Sequence, residues 1–224
     1  MASSYTTNYG IEKIGSGEQA GAWGTTTNHN LDIMDRIASF KSVALSGTTH
    51  TLTVREASPG SGTENLQDGM FRVIKFTGAL GANNTVTIAP NTTTAYFIFI
   101  NATTDSGSSG PYSVVLTQGS GANITIPNGD TKVVFCDGAG SGAAVVDAFA
   151  SLSVVDLKVQ DDLTVTDDAS VGGDLAVTGG LDVSGTIKLD GNYPTGTSNV
   201  ALGDTALDSV QAGGTHNTAI GATT

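Results

Sequence analysis

A six-residue repeat of aliphatic positions dominates the pattern between residues 151 and 190. Each unit carries one aliphatic residue and a second one two positions later. A helix advances about 100° per residue and would place successive units on different faces, whereas residues i and i+2 share one face of a strand. The repeat therefore predicts a three-residue strand in each unit. Its core positions are Leu157, Val159, Leu163, Val165, Ala169, Val171, Leu175, Val177, Leu181, Val183, Ile187 and Leu189.

The last two positions of each six-residue unit are mostly Asp or Gly. In the first unit, which begins at Leu157, they are Asp161 and Asp162. These residues form turns and tolerate positive φ, so we expect a corner after each strand. One chain could wind the repeat into a β-helix, but its six units would then give only two coils. Three chains around one axis would bury every aliphatic position and leave no free strand edge. We therefore predict an intertwined, trimeric β-helical stalk over residues 151–190.

Residues 41–150 contain short apolar runs separated by breaks rich in Gly, Asn, Pro and Ser. Short strands at close spacing are typical of an antiparallel β-sandwich or a jelly-roll-like domain, and the pattern does not decide between these topologies. The runs are Thr51–Val54, Met70–Phe76, Thr85–Ile88, Tyr96–Ile100, Tyr112–Leu116, Ile124–Ile126, Lys132–Cys136 and Ala144–Phe149.

Residues 1–40 contain one predicted helix, capped by Asn28 or Asn30, in which apolar residues recur at helical spacing. Trp23 precedes it in a Gly-rich turn. The segment is too small to bury a tryptophan by itself, so we expect it to dock on another protein or on other copies of the chain. The expected anchoring residues are Trp23, Leu31, Ile33, Met34 and Ile37.

Residues 191–224 carry a different repeat, because 199–205 and 217–223 share the pattern Asn-x-Ala-Leu/Ile-Gly eighteen residues apart. The second copy stops at Thr224. Since a solenoid normally needs about three repeats to bury a core, we expect either a longer natural chain or an end covered by neighbouring chains.

The composition agrees with a mainly β protein, since Thr, Val, Gly, Asn and Asp take the place of helix-forming residues. A net charge of −12 argues against binding to nucleic acid. No apolar run approaches the roughly 18 residues of a membrane span, and the start of the chain lacks a secretory signal. Cys136 is the only cysteine, and its apolar run predicts a buried strand thiol and synthesis in a reducing cytoplasm.

The residues give little support for catalysis, metal binding or a cofactor, and we predict none of them. Rings of aspartates could hold calcium on a three-fold axis, but outward corner positions that keep the stalk soluble explain the same residues. The candidate ligands and acids are Asp161, Asp162, Asp167, Asp168, Asp174 and Asp182, the histidines His29, His50 and His216, and the carboxylates Glu56, Glu64 and Asp68.

Three segments resemble known proteins. The string Gly10-Ile11-Glu12-Lys13-Ile14, followed by residues 17–28 and 30–32, is similar to the N-terminal segment of tail-fibre and related virion proteins of marine tailed phages, particularly cyanophages. Residues 163–179 resemble the hexad shafts of phage fibres. The Asn-x-Ala-Leu/Ile-Gly copies resemble the head repeats of trimeric adhesins.

The resemblance implies a homotrimeric tail fibre, or its virion-proximal part, made in the cytoplasm of a bacterial host and located on the virion tail. Residues 1–40 would then attach to other virion proteins, and the distal end would contact a glycan or protein of the host surface. Two alternatives stay open: a trimeric capsid or neck decoration or whisker protein, and a carbohydrate-binding adhesin.

Overall fold

The computed structural model describes residues 2–56, 58–60, 65–107, 109–185, 200–202, 216 and 218–220. The chain forms two compact units, Met1–Leu157 and Lys158–Thr224. The predicted segment 1–40 and the predicted domain 41–150 lie together in the first unit.

The first unit contains one α-helix and thirteen strands among the described residues, so the prediction of a mainly β chain with a single helix is confirmed. The helix, α1, spans Trp23–Ile37. The strands are β1 (Ser4–Tyr5), β2 (Glu12–Lys13), β3 (Phe40–Ala44), β4 (Thr49–Thr53), β5 (Val73–Thr77), β6 (Ala79–Leu80), β7 (Asn84–Ala89), β8 (Ala95–Asn101), β9 (Thr104–Asp105), β10 (Val114–Thr117), β11 (Ile124–Ile126), β12 (Thr131–Cys136) and β13 (Val145–Asp147).

Two sheets face each other across one core. The first has five strands in the order β13-β12-β8-β5-β3, and the second has four in the order β11-β10-β7-β4. From β3 to β10, the strands of these two sheets alternate between one sheet and the other along the chain. Each strand pairs in parallel with the preceding strand of its own sheet: β5 with β3, β7 with β4, β8 with β5 and β10 with β7. This is the winding of a short β-helix. Within these two sheets, the antiparallel pairings are those made by the last strands, β11, β12 and β13.

The prediction of an antiparallel sandwich or jelly roll is therefore correct in part: the two-layer arrangement and three antiparallel pairings are present, but the four pairings from β3 to β10 are parallel. The physical reason is that consecutive strands lie in opposite sheets, so neighbours within a sheet run the same way. Alternating burial is the same in both arrangements and cannot distinguish them. β3 falls outside every predicted run, whereas Ile124–Ile126 coincides with β11.

The core is formed by the inward faces of both sheets. Aromatic rings occupy its centre, with Phe99 stacked on Phe76 at 5.2 Å and on Phe97 at 4.9 Å between centroids. The other fully buried residues from both sheets include Leu52, Ile74, Val86, Ile88, Val114, Leu116, Ile126, Val134 and Val145.

Buried amide side chains hold the connections between strands, because loops that cross between sheets leave backbone groups without a ladder partner. Asn101 donates to the Ile126 carbonyl at 2.9 Å and accepts from the Thr103 hydroxyl at 2.7 Å. Gly78 forms the tight turn after β5 with φ +110°, where a Cβ would lie 2.3 Å from the Leu45 carbonyl oxygen. This turn therefore requires glycine.

Candidate functional site

The described hexad residues form an open, regular chain with a bend every six residues. Bends occur at 160–161, 166–167, 172–173, 178–179 and 184–185, and all side chains from 151 to 185 are exposed. The leucines at the first position, Leu157, Leu163, Leu175 and Leu181, are each between 67% and 69% exposed. Such uniform exposure shows that each unit repeats the same local conformation.

The position of the corners in the hexad prediction needs correction, whereas its strands are predicted to pair between chains and stay a prediction. Within residues 151–185 there is no strand, because a strand requires a hydrogen-bonded neighbour and the single chain supplies none there. The bends begin one position earlier than the predicted corners. None of the glycines from Gly172 to Gly185 has a left-handed φ, so Gln160 and Asp161 can form the same bend as Gly172 and Gly173.

The single-chain β-helix alternative is absent from residues 157–185, since its aliphatic side chains are not buried against one another. The predicted core positions Val159, Val165, Val171, Val177 and Val183 are all exposed. Ile187 and Leu189 lie outside the described residues. The exposed leucines and valines of the hexads from Leu157 to Val183 together form a surface that is named the hexad stripe.

The second unit contains two further strands, β14 (Val200–Leu202) and β15 (Thr218–Ile220), which pair in parallel. Ala201 lies opposite Ala219, and Leu202 lies opposite Ile220. The offset is eighteen residues at each pair, which equals the spacing of the sequence repeat. The sequence repeat therefore matches the register of this strand pair.

Helix α1 presents an apolar stripe to solvent. Trp23, Thr27 and Leu31 are four residues apart and Met34 follows three later, which places them on one face. Trp23 is 62% exposed, and Leu31 and Met34 are each 54% exposed. The surface of Trp23, Leu31 and Met34 is named the helix stripe.

The other expected anchoring residues face the protein. Ile33 is only 1% exposed and Ile37 is half-buried, so Ile33 cannot contact a partner and its assignment to the anchor is wrong. The helix also begins at Trp23, with Ala22 before it, so neither Asn28 nor Asn30 caps it.

A polar network holds the N-terminal segment against α1. The Asn30 side chain accepts from the Glu12 backbone N–H at 2.9 Å and donates to the Glu12 carbonyl at 2.8 Å. Gln19 donates to the Glu12 carboxylate and accepts from the Thr26 hydroxyl. These interactions give the segment from Glu12 to Asn30 a structural role within this chain.

The same segment is fixed to the β domain. Asn8 accepts hydrogen bonds from the Thr94 backbone N–H and hydroxyl at 3.2 and 3.0 Å. Arg72 donates to the Tyr9 hydroxyl at 3.0 Å. The expectation that residues 1–40 dock elsewhere is therefore limited to their outward surface, because their inward side docks on their own chain.

A third apolar surface, which the sequence reasoning missed, covers the outer face of the five-stranded sheet. It comprises eleven of the residues that alternate with the core positions of β3, β5, β8, β12 and β13. The surface is named the sheet face, and its residues are Phe40, Ser42, Val73, Lys75, Tyr96, Ile98, Ile100, Thr131, Val133, Phe135 and Val146.

A signal for the sheet face was present in the sequence. Residues 95–100 read Ala-Tyr-Phe-Ile-Phe-Ile, without the polar alternation that a half-solvated strand shows. Continuous apolar runs are typical of strands that are covered on both faces. Phe40, Tyr96 and Phe135 are nevertheless exposed in the single chain.

The outer face of the four-stranded sheet is hydrophilic by contrast. Thr51, Thr87 and Thr117 lie side by side on β4, β7 and β10, and Thr49 and Thr85 form the neighbouring row. An open depression of about 310 Å³ next to β4 is lined by His50, Thr51, Thr53, Leu66, Gln67 and Asp68.

Nothing in the described part of the chain assembles metal-binding chemistry, since no group of three or more His, Cys, Asp or Glu residues lies close enough to hold an ion. Asp161, Asp167 and the other corner aspartates within residues 158–185 are exposed. Asp68 pairs with Lys41 at 2.6 Å, and Glu56 accepts from Gln67 at 3.2 Å. Glu64 lies outside the described residues.

No helix in the described ranges has the length and apolar character of a membrane span.

Cys136 is buried in β12, as the sequence predicted. Burial, aided by the charge of Asp137, raises the pKa of its thiol from 9.0 to about 12. We expect the folded protein to resist iodoacetamide at pH 8 and to react fully in denaturant, because only the thiolate is nucleophilic.

The raised pKa of Cys136 also links folding stability to pH. Because folding favours the neutral thiol, the contribution of this group to stability is complete below pH 9 and is lost as the pH rises toward 12. Denaturant titrations between pH 8 and pH 11 should show that the free energy of unfolding falls less with pH in Cys136→Val than in the wild type.

No protein family, curated protein or solved structure matches the chain.

Proposed function

We propose that this chain is a structural subunit of a phage virion: a homotrimeric tail fibre, or its virion-proximal part, without enzymatic activity. The observation that carries the proposal is the hexad stripe, in which a bend recurs every six residues and every described leucine and valine is exposed. Exposed aliphatic rows of this length are unfavourable in water and mark an interface.

Identical copies of the same segment are the simplest partner for a strict repeat. In a trimer each unit meets the same unit of two other chains at the same height, and all contacts are equivalent by symmetry. The backbone groups of residues 157–185 that form no ladder in the single chain would pair between chains. The intertwined β-helical stalk is therefore the assembled form that we propose for the open segment.

The helix stripe gives this subunit a place to attach to the virion. Its three residues stand outward on a helix whose position is set by Asn30, Glu12 and the β domain. A rigidly held apolar stripe is suited to a fixed joint rather than to a flexible tether. The resemblance of the surrounding string to tail-fibre proteins supports a virion protein as its partner.

Two measurements on the full chain test the proposal. Light scattering of the purified protein should give three times the chain mass of 22.5 kDa. Immunogold electron microscopy should place the protein on the tail. A monodisperse monomer would overturn the trimer, and labelling on the capsid or neck would replace the tail fibre with the decoration or whisker alternative.

A further inference from the structure

The sheet face carries three exposed aromatic residues, Phe40, Tyr96 and Phe135, that the described part of the chain leaves largely uncovered. Three rows of residues run across the sheet by register, and each row covers three or four of the five strands. One row joins Phe40, Val73, Ile98 and Val133. The second joins Tyr96, Phe135 and Val146, and the third joins Ser42, Lys75, Ile100 and Thr131. Eight of these eleven residues are apolar or aromatic.

The size of the surface limits what it can bind by itself. Eleven positions, on strands about 4.8 Å apart and in rows about 6.8 Å apart, give a surface of roughly 360 Å². A stable interface between free partners needs about 800 Å² on each side. The sheet face is therefore too small for tight binding between free molecules, but sufficient when another contact already holds the partners together.

The charges around the surface select an acidic partner. None of the residues of the sheet face is Asp or Glu, although the whole chain carries a net charge of −12. Lys75 lies in the third row, and the Arg72 guanidinium lies 3.8 Å from the centre of the Tyr96 ring at the border. A second copy of this chain offers an acid-free apolar face to the apolar rows, and its carboxylates, all of which lie outside the sheet face, are available to the two cations at the border.

Chain continuity also favours a second copy. β13 is the edge strand of the five-stranded sheet, and the chain that leaves it stays apolar and exposed. The exposed residues after β13 are Phe149, Leu152, Val154, Val155 and Leu157, where the hexads begin. Assembly of the stalk would hold three β domains within a few residues of one another, which gives a high local concentration.

We infer that the sheet face is a second homotypic interface, through which the β domains of three chains contact one another once the hexad stalk has assembled. This inference rests on the proposed trimer and extends it from the stalk to the β domain. Tyr96 and Phe135 become buried between copies, while the threonine face of the four-stranded sheet stays in water.

Hydroxyl-radical footprinting of the full chain tests the inference. Oxidation of Tyr96 and Phe135 is compared between the wild-type protein and Leu175→Asp, which breaks the stalk. We expect both residues to react several-fold more slowly in the wild type. Trp23 is the internal control, because the helix stripe contacts no copy of this chain in the proposal and its oxidation should be equal in both proteins.

The outcomes separate the two proposals. A wild-type monomer overturns the proposed trimer and the inference together. A wild-type trimer in which Tyr96 and Phe135 react as fast as in Leu175→Asp overturns only the inference. Slow oxidation in both proteins also overturns it, since the face would then be covered by its own chain.

A second pair of variants keeps the test valid if Leu175→Asp does not fold. Phe135→Lys places a charge in the second row, whereas Thr51→Lys places it on the threonine face. We expect Phe135→Lys to lower the melting temperature of the trimer and to accelerate oxidation of Tyr96. Thr51→Lys should have the melting temperature and the Tyr96 oxidation rate of the wild type. Equal behaviour of the two variants would contradict the inference.

Discussion

Replacing Leu175 with Asp should convert the protein from a trimer into monomers at micromolar concentration. In the proposed stalk, three copies of Leu175 meet at one height on the axis. The substitution removes about 1.5–3 kcal/mol of burial for each leucine and places three carboxylates in an apolar, water-poor interior. Sedimentation equilibrium of the purified full chain measures the change.

Ala176→Asp is the matched control. Ala176 lies between Leu175 and Val177, so it points away from the axis in an extended unit, where a carboxylate remains hydrated. We expect this variant to stay trimeric. Circular dichroism should show that the β domain is intact in both proteins. Equal masses for the two variants would contradict the proposed stalk, because an interface built on the hexads must distinguish the two positions.

The sequence predicted the strands of the β domain better than their pairing. The runs at Tyr96–Ile100 and Lys132–Cys136 lie within β8 and β12, because alternating burial follows directly from the pleat. Parallel pairing could not be predicted, since it depends on which sheet each connection enters. β3 was missed because Phe40, Ser42 and Ala44 are outward and only Val43 is buried.

The start of α1 shows a second limit. Asn28 and Asn30 are good capping residues, so propensity favoured a later start. Tertiary contacts decide otherwise: Asn30 bonds the Glu12 backbone, and Thr26 bonds Gln19 from inside the helix. The helix stripe was predicted in part, because helical spacing identifies neighbours along a face but not which face the β domain covers. Ile33 is the residue that this ambiguity misassigned.

The three apolar surfaces differ in how the sequence announces them. The hexad stripe is visible as a period, because each unit repeats the same chemistry. The sheet face is visible only as missing polar alternation in β8, which also fits a strand that the chain itself covers. Only the fold shows that this face is not covered by the described part of the chain, where Tyr96 is 55% exposed and Phe135 is 42% exposed.

The double substitution Leu31→Asp and Met34→Asp should release the protein from the virion without affecting the fold or the trimer. Both residues are 54% exposed in the single chain and neither belongs to the buried core, so the substitutions cost the fold little. At a joint with a virion protein, loss of the two apolar contacts costs about 3 kcal/mol or more. That corresponds to a decrease in affinity on the order of 100-fold. Quantitative mass spectrometry of purified virions, complemented with the variant, measures the incorporated amount.

The double variant Thr25→Asp and Asn28→Asp is the control, because it adds the same charge to exposed positions of α1 outside the helix stripe. We expect its incorporation to equal that of the wild type. Light scattering should show trimers for both variants, which separates loss of attachment from loss of assembly. If the Leu31 and Met34 variant enters virions normally, the joint lies elsewhere on the chain. If both variants are lost equally, added charge rather than the apolar stripe governs attachment.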